Sequence, residues 1–433
     1  MELIELLTQG KYKECLWARE TTKEQIKKKL HSCGAVLIHG TKGELTKIKK
    51  KLKTEEEVRE FALIAGTEEA VRIAIPLGAK SVQKRGLQEL KHFRGRERKK
   101  RILINLALLG SLLGIDIWAF KKRFLIITIP EMSIWNATAG KKNVTSAFYR
   151  TSRKFVLPLI GEDGNILGYA KAYLPENRES GENEAKILNL IREKDLEEFS
   201  VPKVLRETSW GRYIIITLGT INNIQISRTR EEYHLHWLEV LIEKTGRELI
   251  FEESPYSKRL DRDIQAIQSK RKEIKNLIYF KERAVEKLKD KRMIFSLSMR
   301  EFPYFQILQK KEKKLVIDWE LAHFDAPIIF DLYSLFLSSP PHTKGEYKEL
   351  YKKNLLSIFF SPQKANREDM DRIVKKMHID FEDAYWLFWL FLVDQLFTHL
   401  LTGAKESEDR ILEFLSFARK NEKELQRTWT GNK

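Results

Sequence analysis

The sequence predicts an α+β protein in three stretches: a small α/β module over 1–144, a small antiparallel sheet with one helix over 145–222, and a mostly helical remainder over 223–433. Three observations predict it. GAVLIHG (34–40), an apolar run closed by glycine, and the helically spaced ELTKIKKKL (44–52) give the first stretch a strand and a helix. Two apolar runs, FVLPLI (155–160) and ILGYAKAYL (166–174), flank GEDGN, whose Asp-Gly is a hairpin signal. FEDAYWLFWLFLVDQLFTHLL (381–401) is apolar over too long a run for a strand and reads as a buried helix late in the chain.

The remaining elements follow in order. Leu45, Ile48 and Leu52 form the apolar stripe of the first helix, and EEVREFALIAG (56–66) with VRIAIPLG (71–78) read as two strands turning at Gly66. ILINLALLGSLLGIDIWAF (102–120) is the most apolar stretch, but Asn105, Ser111 and Asp116 interrupt it and basic clusters flank both ends. It reads as a buried helix ending at Gly114 rather than a membrane span, and FLIITI (124–129) as a strand after it. Past the hairpin, Glu184, Leu188 and Ile191 recur at helical spacing, and RYIIITLG (212–219) is a further strand.

Composition narrows the function classes. Hydrophobic residues are 42% and charged residues 32%, enough to build cores, and 11 Pro with 21 Gly exclude collagen-like or linker-dominated chains. Two cysteines, Cys15 and Cys33, exclude a disulfide scaffold and a multi-cysteine zinc site. The opening MELIELLTQG has no basic n-region before a long apolar core, so a cytoplasmic protein is expected. Lys and Arg number 79 against 61 Asp and Glu, a net +18. That surplus suits phosphate-rich partners: nucleotides, an anionic membrane face or another polyanion. It concentrates in KIKKKLK, RGRERKKR (94–101), KKR (121–123) and QKKEKK (309–314), for which solvated helix faces and loops are the simplest account. GAVLIHGTKG is not a phosphate loop, because Gly34 and Gly40 are six apart and Lys42 is followed by Gly43.

The chemistry-bearing residues lie in the second half. Lys171 sits inside an apolar strand, and a helix carrying Glu184 follows. Far downstream, the apolar run Leu315–Ile317 leads into Asp318, then Trp319 and Glu320, and Asp331 opens an apolar helix thirteen residues on. A carboxylate at the end of a buried strand suits Mg²⁺, which takes hard oxygen ligands. In this order the segment 145–405 resembles the aminoglycoside phosphotransferase and choline kinase branch of the protein-kinase-like superfamily. IDWE, then Pro327 and the Asp331-Leu332 pair, resembles its metal-binding motif, and HLHWLEVLIEKTG (234–246) its first C-lobe helix.

The resemblance implies a two-lobed fold, with ATP and Mg²⁺ between the lobes and transfer to a hydroxyl of a small-molecule acceptor. It assigns Lys171 to the nucleotide phosphates, Glu184 to holding that lysine, and the segment Thr217, Leu218 and Gly219 to the adenine. Asp318 would bind the metal, and Asp331 would be a buried carboxylate holding the catalytic-loop backbone. The family's loop reads H-G-D-x-x-x-x-N, where this chain has Met299, Arg300, Glu301 and Gln306. Glu301 stands where the family's base is and Gln306 where its second metal ligand is, each one methylene longer. AFYRTSRKF (147–155), with Arg150, Arg153 and Lys154, replaces the Gly-rich loop. Two readings stay open: an active enzyme with a shifted base and ligand, and a pseudokinase that binds nucleotide or a partner without turnover.

Other motifs carry less. HIDFEDAYW (378–386) imitates the catalytic loop but follows Asp318, which is the wrong order, so Asp380 reads as a helix N-cap. His234, His236 and His323 have no metal-ligand spacing, and Trp319 reads as core. A polycationic acceptor suits the basic balance poorly; a sugar, an alcohol or an anionic acceptor suits it better.

Overall fold

A computed structural model describes residues 2–9, 16–52, 57–66, 71–77, 79–94, 122–129, 133–140, 144–220, 225–227, 229–271, 274–338, 347–360, 364–402 and 405–430. The apolar segment 102–120 and the basic run 95–101 lie outside them. The chain forms two compact units: Met1–Asn189 with Pro202–Asn223, and Leu190–Val201 with Ile224–Lys433.

The helices of the first unit are α1 (Glu2–Leu7), α2 (Lys23–Cys33), α3 (Lys42–Lys51), α4 (Lys80–Arg94), α5 (Ile134–Ala139) and α6 (Arg178–Ile191), the last two residues of α6 falling in the second unit. Its strands are β1 (Leu16–Trp17), β2 (Ala35–Gly40), β3 (Glu57–Gly66), β4 (Val71–Pro76), β5 (Arg123–Thr128), β6 (Val144–Ser146), β7 (Phe148–Arg150), β8 (Lys154–Gly161) and β9 (Ile166–Tyr173). After β10 (Phe199–Ser200) of the second unit come β11 (Val204–Trp210) and β12 (Tyr213–Leu218). Local chemistry places these ends. Thr22 with Gln25, and Thr41 with Glu44, form capping boxes that start α2 and α3. Gly34 ends α2 in the left-handed region, φ 77°, its N–H returning to the Leu30 carbonyl before β2 begins. At the β8–β9 turn Gly164 has φ 80° and Asp163 accepts the Asn165 N–H, as the Asp-Gly signal implied.

The antiparallel sheet expected over 155–219 is present, but it is not small. The strands run β1-β2-β5-β3-β4-β7-β8-β9-β12-β11, with β6 also on β8, eleven in all. β7 pairs with β4, so residues 1–144 and 145–222 contribute to one continuous sheet, antiparallel except for β1 on β2. This junction protects strands that two separate sheets would leave as exposed edges. One face packs α1, Trp135 of α5, Leu157, Leu159, Ala170, Ala172 and Ile215 into the main core. The other face carries Val156, Tyr149 and Leu87 at one level and Ile160, Ile166 and Val82 at another.

The second unit is mostly helical: α7 (Glu232–Thr245), α8 (Pro255–Lys270), α9 (Lys275–Leu288), α10 (Ile329–Ser338), α11 (Tyr347–Leu355), α12 (Lys364–Lys376), α13 (Phe381–Thr402), α14 (Lys405–Lys420) and α15 (Glu422–Thr430). The strands β13 (Gln225–Ile226), β14 (Arg247–Ile250), β15 (Arg292–Ser298), β16 (Ile307–Lys310), β17 (Lys313–Val316) and β18 (His323–Ala326) form, with β10, two small sheets ordered β10-β17-β16-β13 and β14-β15-β18. α13 is the expected late buried helix, with residues Ala384 to Val393 at 1% exposure or less and Trp389 stacked 4.0 Å from Phe280. Asp380 accepts the Asp383 N–H at 2.8 Å, the N-cap contact expected of it. Among the described residues, no helix is long and apolar enough to cross a membrane.

Candidate functional site

The candidate residues fall into two groups, one in each unit. In the first unit, β9 pairs with β8 and β12, so residues opposite one another share a face: Lys171 with Val156 and Ile216, and Tyr169 with Leu218. α6 crosses this face and presents Glu184. Lys171 Nζ lies 2.7 Å from Glu184 Oε1, with the two side chains 8% and 0% exposed. The Tyr173 hydroxyl donates to the other carboxylate oxygen, so the glutamate is held from two sides. Gly181 makes the close approach of α6 possible, since a Cβ there would meet Tyr173 Cδ2 at 2.6 Å.

The three residues assigned to the adenine divide differently. Thr217 pairs with Ala170, so its side chain lies on the opposite face from Lys171, and its hydroxyl donates to the Thr138 carbonyl at 2.9 Å. The Gly219 N–H donates to the Lys203 carbonyl at 2.7 Å. Both polar groups are engaged within the unit, and Leu218 shares the face of Lys171. That face is further covered by α4. The Tyr169 hydroxyl donates to Glu89 at 2.7 Å, the Tyr149 hydroxyl to the Gly86 carbonyl at 3.0 Å, and Leu87 packs with Val156. Arg153 and Lys154, expected near phosphates, are buried, and Lys154 Nζ stands 5.3 Å over the Tyr173 ring.

In the second unit, the segment 298–306 is tied down along its length. α10 places Asp331, Ser334 and Ser338 on one side at i, i+3 and i+7. They accept the backbone N–H groups of Met299 at 2.7 Å, Phe302 at 2.9 Å and Tyr304 at 3.2 Å. Asp331 thus holds the loop backbone as the resemblance implied. His234 closes the far end: its Nδ1 accepts the Glu231 N–H, which leaves Nε2 to donate to the Tyr304 carbonyl at 2.8 Å. It is a satisfied core histidine, and burial lowers its pKa. Glu301 sits exposed between two anchored amides.

Gln306 and Asp318 are brought together by the β16–β17 hairpin, whose pairing of Ile307 with Val316 continues in a 3.0 Å bond from the Ile317 N–H to the Gln306 carbonyl. Gln306 is 5% exposed, and its Oε1 has no hydrogen-bond partner among the described residues. Asp318 is half-buried and holds φ 66°, a backbone state that costs a non-glycine residue about 1–3 kcal/mol and persists only where its surroundings impose it. Trp319 is core, 0% exposed, edge-on to Trp237.

Two features escaped sequence reasoning. Arg300 holds a left-handed φ of 63° and forms a buried two-point bond to Asp394 of α13. No local signal pairs residues 94 apart. His236 meets Glu197 at 3.0 Å and Glu198 at 3.4 Å, although the sequence shows no metal-ligand spacing around it. These three could surround an ion, but Lys314 already occupies Glu198 at 2.9 Å.

Burial raises the Asp331 carboxyl to about 7, against 3.8 for the ordinary group. The folded state therefore holds this proton at pH values where the unfolded chain has released it. The resulting stabilisation is complete below about pH 4 and is lost as pH rises through 7. Urea unfolding at pH 4.5 and 7.5 is expected to show a loss of stability across that interval in the wild type that is smaller in Asp331→Asn; equal losses would refute the assignment.

No protein-family model and no curated protein matches the chain. Solved structures similar to it include the choline/ethanolamine kinase family protein from Mesorhizobium loti, 12% identical, covering 69% of this chain and 97% of its own, with a TM-score of 0.41. The ADP-bound aminoglycoside phosphotransferase APH(2'')-Ib is 14% identical over 68% of this chain and 95% of its own, TM-score 0.37. Spectinomycin phosphotransferase APH(9)-Ia, in complex with ADP and spectinomycin, is 13% identical over 66% and 92%, TM-score 0.39.

Proposed function

We propose that the chain is an ATP- and Mg²⁺-dependent phosphotransferase acting on a hydroxyl of a small molecule. The observation that carries this reading is the buried Lys171–Glu184 pair. A lysine sequestered with one carboxylate is costly to keep, because losing either partner leaves a buried charge, and positioning a nucleotide's phosphates is the use that such a pair serves in kinase-like folds.

Mg²⁺ takes hard oxygen donors, and the buried, unpartnered Oε1 of Gln306 beside the strand end at Asp318 fits that requirement. Asp318 and Gln306 would hold the ion, which when bound neutralises charge on the transferring phosphoryl group. Glu301 would take the acceptor's proton. The anchored amides of Met299 and Phe302 fix the backbone from which it projects. A sugar, an alcohol or an anionic acceptor fits the +18 balance.

A scaffold without turnover is the second reading. It is favoured by α4, which lays Glu89 and Leu87 over Tyr169 and Val156 on the face of Lys171. Thermal unfolding with saturating MgATP tests the nucleotide site, and turnover of the bound MgATP separates the two readings. At 100-fold over Kd, binding adds about 2.7 kcal/mol. The wild type is then expected to melt about 5–10 °C higher, and Lys171→Ala and Asp318→Ala to show no shift. No shift at millimolar MgATP in the wild type overturns the phosphotransferase reading.

A further inference from the structure

Two sequence features have no part in phosphoryl transfer: GAVLIHGTKG, which fails as a phosphate loop, and the KKR cluster at 121–123. They end at the same place. β2 stops at Gly40, Thr41 caps α3, and β5 enters at Arg123. Between these and the edge strand β1 lies a cavity of about 310 Å³. Its base is a close crossing of chains, where the Ala18 N–H donates to the His39 carbonyl and a Cβ on Gly40 would meet Ala18 Cβ at 2.7 Å.

The lining is chemically specific. Trp17 is 50% exposed on a two-residue edge strand, an aromatic surface left open to solvent. Its ring lies 5.7 Å from His39, itself 5.4 Å from Phe124, so an aromatic series runs from the rim to the core. Glu44 is fixed in the wall by the Thr41 N–H and by Arg19 Nε, each at 2.8 Å. Those bonds hold its carboxyl below the usual range, so it stays an anionic acceptor. Arg19 and Lys122 supply positive charge at the rim. Residues 1–144, the stretch that carries this cavity, contain 30 Lys and Arg against 16 Asp and Glu, most of the chain's +18 surplus.

We infer that the cavity binds a nucleotide unit: the base stacked on Trp17, its exocyclic amino group on the Glu44 carboxylate, its phosphate on Arg19 and Lys122. A flat aromatic face is what a base requires, a fixed carboxylate suits an amino donor, and rim cations suit a phosphate. The volume is at the small end of ligand sites, the size of one nucleotide. The unit can be a free mononucleotide or one residue of a single strand. This inference is independent of the Lys171 site.

Binding of AMP and of a single-stranded octa-adenylate to the full chain, measured by calorimetry at 50 and 200 mM salt, tests it. Trp17→Ala is expected to weaken binding about tenfold or more, with Trp17→Phe retaining it. Trp17 is surface-exposed, so its replacement leaves the core intact. Equal affinity for the two probes identifies a free nucleotide. A much tighter octamer, losing affinity steeply at the higher salt and on Lys122→Glu, identifies nucleic acid. If neither probe binds, or Trp17→Ala leaves binding unchanged, the inference is overturned.

Discussion

Replacing Asp394 by alanine is expected to destabilise the second unit by about 3–5 kcal/mol, the cost of stranding a buried charge. Its melting temperature should fall by on the order of 10 °C. Arg300 and Asp394 side chains are 4% and 1% exposed, and Arg300 Nε donates to Asp394 Oδ2 at 2.9 Å. Arg259 approaches the same carboxylate at 3.6 Å, so the variant strands more than one guanidinium. The same change in an Arg300→Gly background should cost less by about 2 kcal/mol or more, because glycine removes the buried cation and accepts φ 63° without strain. Urea unfolding of the four proteins closes the cycle, and a loss below about 1 kcal/mol for Asp394→Ala would show that the pair is not a keystone of the loop. Amide exchange adds a local readout: Met299 and Phe302 should lose protection first.

That pair marks the limit of what the sequence made legible. Period and turn chemistry are local, and they located the strands around Asp163 and Gly164, the helix with Glu184 and the long apolar helix over 381–401. The order Lys171, Glu184, Asp318, Asp331 was legible through resemblance, and the ion pair of the first two and the backbone bond of Asp331 are there in the geometry. What stayed hidden depends on pairing at long range. Nothing local says that β7 hydrogen-bonds β4 and so joins residues 1–144 to the next stretch in one sheet. Thr217 lay one position from facing Lys171, and the period of two along a strand sends it to the other face. Arg300 looked like a lost glycine. In space it holds a left-handed backbone, φ 63°, and a buried ion pair to Asp394 offsets the strain. The segment is therefore held at Met299, Arg300, Phe302 and Tyr304.

Because the loop is held, the length of the side chain at 301 should decide turnover. Glu301→Asp is expected to lower kcat by on the order of 10²-fold, since it withdraws the carboxylate by about one bond length from a fixed backbone, and positioning errors near 1 Å have that cost. MgATP-induced stabilisation should be unchanged, because Glu301 would touch the acceptor's hydroxyl and not the nucleotide. Gln306→Asn is expected to behave differently. It draws the buried Oε1 back from its place and should weaken the MgATP-induced shift as well as turnover. A kcat loss confined to position 301, with binding loss at 306, is the pattern of an enzyme built around the longer side chains. If the wild type instead binds MgATP without turning it over, and Glu301→Asp gains activity, the longer carboxylate is the lesion. The chain then belongs to the scaffold reading, with α4 over Lys171 as its structural counterpart.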